Sequence, residues 1–447
     1  MSIAIDAETL AKVRLARPEV FDRPFRKRFA PLLVALGVLA YVAYALWFFA
    51  IPQVVMTAQW ERFGYYLSQW VSFTVQVELR PQGDTVRTVW PRYSQLGSKP
   101  DPDWVHADGA NAVFVDLPGA GNRFEITGSS VVVTRGGEAV RFDLTGPTLQ
   151  ADRELPDWVQ LSQDEVDVSW GFWGRATFDR DRAKVYRTFL GWANFLFDTR
   201  SPFFGKSPSE VLSLIVSGPR IDPAESNLDL ALSNIWNNAE WQHGDVWTKL
   251  LQTIVMAFAG TLMAAMLAFP LSFLAARNIT HSRLVNQLFK RAFDFLRSVD
   301  MLIWALFFTR AFGPGPLAGT AAIFFTDTGT LGKLYSEALE NIDDKPREGL
   351  QSVGASNLAV QRFGVVPQIL PVFASQALYF WESNSRSATI IGAVGAGGIG
   401  LKLWEAMRTN TNWANVFYMV ILILIMVYVF DAISNALRRR LIGDLRG

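Results

Sequence analysis

The 447-residue chain contains no cysteine and only three histidines, His106, His243 and His281, which lie far apart. Without thiols it has no disulfide framework, thiolate zinc site, iron–sulfur cluster or cysteine nucleophile. Three scattered imidazoles likewise give no basis for a polyhistidine metal centre, and no metal site is expected. Charge is sparse: 19% of the residues are Asp, Glu, Lys or Arg, below the roughly 25% of soluble domains. The two signs nearly cancel at a formal +1, so no overall field points to nucleic acid. Half of the residues are hydrophobic, with 16 Trp and 33 Phe, and this excludes disorder as a description of the whole chain. A length of about 150 residues per domain predicts roughly three domains; the placement of the apolar residues argues otherwise.

The apolar surplus is concentrated in blocks. No charged residue occurs between Arg28 and Glu61, where Pro31–Ile51 reads PLLVALGVLAYVAYALWFFAI. Between Lys249 and Arg277 lie 27 uncharged residues, and Trp413–Phe430 reads WANVFYMVILILIMVYVF. A helix crosses a bilayer with about 20 apolar residues, so each block reads as a span. Three weaker segments are read as spans too. Phe293–Phe312 carries Asp294, Arg297, Asp300 and Arg310, Leu317–Leu339 carries Asp327, and Phe363–Trp381 ends at Glu382. Charge inside a span is costly unless it faces protein or water, which places these three inside a bundle. Six spans are expected. The first is expected to be a retained anchor, because its apolar run exceeds the 7–15 residues of a signal peptide and no small-x-small site follows it.

Lys12, Arg14, Arg17, Arg23, Arg26, Lys27 and Arg28 precede the first span, Arg283, Lys290 and Arg291 follow the second, and Arg438, Arg439 and Arg440 follow the last. By the positive-inside rule all three groups are cytoplasmic, which six spans with both termini inside satisfy. Met56–Val246 then lies outside. It holds 17 basic and 25 acidic residues, a net of −8, and the remainder of the chain carries +9. The small total hides a two-sided molecule. Within the outside stretch, residues 74–79, 112–116, 123–127, 131–134 and 139–144 alternate as strands do, and the RGGE at 135–138 suits a hairpin turn. A small antiparallel β domain over about 74–180 is expected. Pro202–Pro223 and the stretch around Trp236 and Trp241 read as short helices on the outer membrane surface, since Trp favours that interface. The insertion is either a passive spacer or a docking surface for a partner or a neighbouring copy.

The expected fold is thus an all-α polytopic membrane protein of about six transmembrane helices with a β-rich insertion. Its parts are a cytoplasmic tail (1–28), a first span (29–55), the insertion (56–246) and a transmembrane domain (247–447). That domain contains a cytoplasmic loop over 337–367. In this loop Pro346–Val353 and Asn357–Phe363 read as short helices separated by Gly354, which lets the chain turn without a Cβ clash, and Pro346 suits a helix start. The product is an exposed helix–turn–helix knob on the inner face.

On these residues the chain resembles the permease subunits of binding-protein-dependent ABC importers. Their cytoplasmic signature runs E-A-A, three residues, G, nine residues, I-x-L-P. Here Glu348-Gly349-Leu350, Gly354 and Val366-Pro367 stand at the matching distances. Both alanines are replaced, Gly364 stands where Ile is usual, and Val366 replaces Leu. Arg297–Gly319, Leu331–Asp343 and Tyr379–Gly400 look like the phosphonate-uptake permeases, in which proline is commoner at the position of Asp300. The resemblance covers about 245–440 and the first span, not the β insertion. It implies an importer permease core with an extra N-terminal span in a bacterial inner membrane, and a periplasmic insertion. It further implies a second permease subunit, identical or homologous, a dimer of ABC ATPases that holds ATP and Mg, and a periplasmic phosphonate-binding protein. The chain itself would bind no cofactor and catalyse no reaction. Glu348, Gly349, Leu350, Gly354, Ala355, Ser356 and Pro367 would form the coupling element seated on the ATPase.

Two further constellations carry chemistry of their own. Gly395, Gly397, Gly398 and Gly400 lie in a G-x-G-x-x-G spacing, but no strand precedes them and no βαβ pattern surrounds them, so close helix packing or a hinge near the outer mouth is expected. No G-x-x-x-x-G-K-[ST] occurs. Glu382 and Arg386 sit i, i+4 in the order that favours a helix ion pair. They are either a structural pair or, with Asn384, part of a translocation path for an anion. Arg297 and Arg310 are similar candidates, with Asp300 placed to neutralise Arg297. On one unbroken helix these arginines stand about 20 Å apart and cannot clamp a single phosphonate. The leading reading is ATP-driven uptake of a phosphonate or related phosphorus oxyanion. An ion-coupled secondary transporter of a small anion is the alternative, though no internal repeat supports it. A membrane-anchored enzyme lacks a nucleophile–base motif.

Overall fold

The computed structural model describes residue 16 and residues 25–443 apart from 59, 92–93, 98–99, 147, 163 and 410–412. Most of the expected cytoplasmic tail, including Lys12, Arg14, Arg17 and Arg23, lies outside the described residues. The chain divides into two compact units, with the boundary after Tyr65.

The first unit contains α1 (Phe25–Phe48) and α2 (Ile51–Thr57), separated by Ala50 in a left-handed conformation. From Leu32 to Phe49 the large apolar side chains are exposed around the whole helix. A helix that is apolar on every side belongs in lipid or in a core, which agrees with the expected first span. A third helix, α3 (Trp60–Ser68), leads out of this unit.

The second unit opens with a β sandwich. Its strands are β1 (Ser72–Gln82), β2 (Thr85–Val89), β3 (Val105–Asp108), β4 (Ala112–Asp116), β5 (Arg123–Thr127), β6 (Ser130–Arg135), β7 (Glu138–Asp143), β8 (Gln150–Ala151), β9 (Val159–Ser162), β10 (Glu165–Ser169), β11 (Gly174–Phe178) and β12 (Ala183–Leu190). One antiparallel sheet has the order β2-β1-β12-β11-β10-β9; the other is the meander β3 to β8. Alternate residues of both sheets, among them Val77, Leu79, Val115, Phe124, Val133, Phe142, Phe178 and Val185, fill one core from which water is excluded. Phe178 of the first sheet meets Phe124 and Phe142 of the second edge-to-face at 5.8 and 5.2 Å. At the β6–β7 turn, Gly136 and Gly137 adopt φ of 59° and 90°, the conformation a two-residue hairpin needs. The expected β core ended near 180, but β12 extends the sheet to Leu190, because it is the partner that completes β1.

After the sandwich come α4 (Pro208–Val216) and α5 (Asn227–Trp236), capped by Ser207 and Ser226. The remaining helices are α6 (His243–Ala275), α7 (Arg283–Ser298), α8 (Met301–Phe312), α9 (Pro316–Glu340), α10 (Lys345–Ser352), α11 (Asn357–Ala359), α12 (Val366–Ile391), α13 (Gly398–Thr409) and α14 (Trp413–Gly443). A π-helical stretch, Val360–Val365, joins α11 to α12. Among the described residues four helical runs are long and apolar enough to cross a membrane: Phe29–Phe48, His243–Ala275, Asn357–Ala396 and Trp413–Leu441.

Two expected segments differ. Phe293–Phe312, read as one span, is broken: α7 stops at Ser298, and Asp300 accepts a hydrogen bond from Leu302 N (2.8 Å) to cap the separate α8. A carboxylate that caps a new N-terminus competes with continuation of the old helix. The segment ending at Trp381 runs on instead to Ile391, since Glu382 finds partners inside the bundle.

Candidate functional site

The knob between α9 and α12 forms as its sequence dictates. α10 ends after Ser352, Gly354 turns the chain at φ 78°, and Ser356 caps α11 by accepting from Ala359 N (3.4 Å). Gly354 N and Ala355 N donate to Gln351 O (3.0 Å) and Leu350 O (3.1 Å), which closes the end of α10. Glu348, Gly349 and Pro367 are exposed, and Leu350 turns inward against Gly364. A Cβ at Gly364 would stand 3.0 Å from Leu350 Cδ1, so glycine in place of the usual isoleucine makes room for a leucine in place of the usual alanine. The sequence reading missed three residues here. Val353, Leu358 and Phe363 project from the knob with 78%, 80% and 64% of their surface free. Apolar residues inside a polar loop were the available signal.

The knob stands on a braced base. Glu340, the last residue of α9, accepts from Lys290 Nζ of α7 (2.7 Å) and from Arg277 N after α6 (2.9 Å). Asn278 Nδ2 donates to Leu339 O (2.7 Å), and Arg347 of α10 donates to Asn278 O (3.3 Å). These bonds bring the knob, α6, α7 and α9 to one point.

Inside the bundle, Asn384 of α12 donates to Asp327 of α9 and to Thr261 of α6 (2.7 Å), and Thr261 also donates to Asp327 (3.3 Å). All three are buried. Asp327, a carboxylate in an apolar run, was expected to face the inside of the bundle and does so, but its partners on two other helices were not expected. Two residues before Asn384, Glu382 pairs with Arg386 (3.6 Å), as its spacing predicts, and more closely with Arg438 of α14 (2.7 Å). Arg386 also approaches Asp431 (3.9 Å). Arg438 therefore serves inside the bundle as well as in the basic C-terminal group.

Asp300 does not neutralise Arg297; the break between α7 and α8 turns it to the α8 N-terminus, and Arg297 pairs with Asp294 (3.3 Å). Asp294 also meets Arg291 (3.5 Å) and Lys333 (3.4 Å). Arg310, exposed at the end of α8, has no ion pair with a described carboxylate.

The glycine segment packs backbone on backbone. Gly395, Gly397 and Gly398 have φ of 104°, 84° and 68°. Gly315 N donates to Gly395 O (3.0 Å), and Ile399 N donates to Thr253 Oγ1 of α6 (2.9 Å). A Cβ at Gly397 would stand 2.8 Å from Gly315 C and Pro316 N, and one at Gly400 would collide with Thr389 O. Both described sheets are antiparallel, so the G-x-G-x-x-G spacing has no dinucleotide-binding setting here.

A family model described as "Binding-protein-dependent transport system inner membrane component" matches residues 268–445. The phosphite transport system permease protein PtxC of Stutzerimonas stutzeri is 38% identical over 194 residues, 43% of this chain and 70% of that protein. The chain belongs to this family. The putative cryptic phosphonate transport system permease protein PhnE2 of Escherichia coli is similar to it as well, 45% identical over 121 residues that make up 27% of this permease and 98% of the relative. The phosphate-import permease protein PhnE of Mycolicibacterium smegmatis is 35% identical over 198 residues, 44% of this permease and 37% of the relative. The family match begins within α6 and ends at the close of α14, so the knob, the glycine segment, and Asp327 and Asn384 of the buried polar cluster belong to the family portion of the permease, while Thr261 lies just before it. The β sandwich lies before it.

Proposed function

We propose that this permease moves a phosphorus oxyanion, a phosphonate or phosphite, into the cytoplasm, driven by ATP hydrolysis in a partner dimer of ABC ATPases. The observation that carries the reading is the braced knob with Val353, Leu358 and Phe363 turned outward. Three large apolar side chains on a polar, basic-side loop are costly in water and favourable in a groove of a partner. Seated there, the knob would pass ATPase closure through Glu340 and Arg347 to α6, α7 and α9. ATP and Mg belong to that partner. A second permease subunit completes the pathway, and a periplasmic binding protein delivers the anion. The named substrates of the relatives, phosphite, phosphonate and phosphate, share a tetrahedral oxyanion. Arg310 and Arg386, both exposed, are our candidates for meeting it, since an anion follows positive potential. Six crossings with both termini inside, counting α7–α8 and α9 beside the four long apolar runs, satisfy the charge distribution.

The test is Gly354→Val. A β-branched residue at φ 78° costs about 1–2 kcal/mol, which corresponds to about a tenfold shift away from the turn the knob needs. Expected is loss of substrate-stimulated ATP hydrolysis and uptake, with the variant still inserted in the membrane at normal levels. Uptake at the normal rate would remove the coupling assignment, and uptake that survives deletion of the ATPase would favour an ion-coupled carrier.

A further inference from the structure

The β sandwich has two ends, and its register fixes which one lies against the long apolar helices. β1 starts at Ser72 opposite Leu190, the last residue of β12. Immediately outside this pair, Trp70 stacks on Phe417 of α14 at 4.9 Å. Trp192 donates from Nε1 to Trp70 O (2.9 Å) and packs on Trp241, Phe417 and Tyr418. This end of the sheet is fastened to the N-terminal ends of α6 and α14. β11 begins at Gly174 opposite Arg187, close to the same end. The single 3-10 turn that precedes it, Gly171–Trp173, therefore hangs from that end, two strands or about 10 Å from β1.

The turn is rigid. Trp170, buried behind it, donates from Nε1 to Thr134 O (2.8 Å), and Trp170 N donates to Gly174 O (2.9 Å) to close the loop. Gly171 takes φ 68°, and a Cβ at Gly174 would stand 2.8 Å from Tyr186 O. What this frame presents is apolar. Phe172 and Trp173 meet edge-to-face at 4.9 Å and are each 39% exposed, and Val71 and Leu190 are exposed along the same end. Two guanidinium groups flank the tip: Arg135 donates to Ser169 O (3.1 Å), and Arg175 lies over the Tyr186 ring at 4.6 Å. Aromatic rings flanked by arginine suit the headgroup layer, where rings meet the acyl boundary and cations meet lipid phosphate. A protein partner would also bury aromatic side chains. The bilayer is favoured because the turn projects from the same end of the sheet that is fastened to the N-terminal ends of α6 and α14.

We propose that the Phe172–Trp173 turn inserts into the headgroup layer of the outer leaflet and seats the β sandwich on the bilayer beside α6 and α14. The proposal rests on reading those two helices as spans. Because the chain has no cysteine, single introduced cysteines can be labelled specifically in the full-length protein. Phe172→Cys, Trp173→Cys, Asp181→Cys in the turn at the far end of β11, and Ile425→Cys on the exposed face of α14 would each carry an environment-sensitive fluorophore. The vesicles would contain phosphatidylcholine and phosphatidylglycerol, with or without nitroxide-bearing lipid. Labels at 172, 173 and 425 are expected to lose emission to the nitroxide lipid, and the label at 181 to keep it. If 172 and 173 behave like 181 while 425 is quenched, the seating is wrong and the spans stand. If 425 also escapes quenching, the span reading falls and the proposal with it. Labels at 172 and 173 that are shielded from a water-soluble quencher yet indifferent to the lipid quencher would identify a protein surface over the tip and overturn the lipid assignment. Each variant keeps Trp170 and one aromatic of the pair, and protease resistance of the sandwich reports that it has folded.

Discussion

Glu382→Leu is expected to destabilise the helix bundle by about 3 kcal/mol, because it removes the carboxylate between Arg438 and Arg386 and leaves Arg438 without its ion pair, while Arg386 keeps Asp431. Glu382 is 9% exposed, and its shorter ion pair, to Arg438, runs between α12 and α14 at 2.7 Å. Arg386 contributes less, since its side chain is half exposed and its pair is longer at 3.6 Å. The estimate therefore sits at the low end of the range for a broken buried pair. The double variant Glu382→Leu with Arg438→Met should recover most of the loss, because an apolar pair in the same space carries no desolvation penalty. Thermal unfolding in detergent of the wild type, both single variants and the double variant forms the necessary cycle. Additive losses in the double variant would show that Glu382 and Arg438 act independently and that the contact between α12 and α14 has another origin.

Gly397→Ala and Gly400→Ala are expected to be nearly as damaging, at about 2–3 kcal/mol each, through overpacking. At Gly397 the new methyl would stand 2.8 Å from Gly315 C and Pro316 N, and at Gly400 it would overlap Thr389 O. Those neighbours are main-chain atoms and cannot rotate away. Gly397 adds the strain of φ 84°, which only glycine adopts freely. Gly349→Ala is the comparison, because a Cβ there meets nothing within 4 Å. It should leave stability unchanged or raise it slightly by favouring the helix. Melting temperatures of the three purified variants decide the matter. A Gly400→Ala protein that melts with the wild type but transports poorly would point to a hinge in place of close packing.

What could be read from the sequence followed the range of the interactions. β4 and β5 matched their expected limits because alternation is a local signal and both strands are buried on one face. The knob was legible for the same reason: Pro346, Gly354 and Ser356 each dictate their own backbone. β9 offers four residues with a single buried side chain, and the 3-10 turn at Gly171–Trp173 interrupts the pattern between β10 and β11. These strands were therefore not named, although Val166 and Val168 alternate with exposed Glu165 and Asp167. The break at Asp300 was hidden because apolar residues on both sides read as one run, and only the capping bond to Leu302 N distinguishes two helices. The partners of Glu382 showed the limit most clearly. Arg386, four residues away, was found from spacing, whereas Arg438 comes from another helix and no local pattern points to it. The buried cluster of Thr261, Asp327 and Asn384 depends in the same way on three helices meeting.

The pairing of Ser72 with Leu190 has a consequence for how this protein is put together. Partners in an antiparallel ladder lie about 5 Å apart, so the chain leaves for the sandwich and returns at nearly the same point. The whole domain is spliced into its connection like a cassette whose two ends almost touch. A two-residue bridge from Val71 to Gly191, already joined by a hydrogen bond of 2.7 Å, would close the gap without moving Trp70 or Trp192. The transport helices could thus lose or exchange this domain in one step, and the family match, which begins only at residue 268, lies wholly outside the exchanged segment.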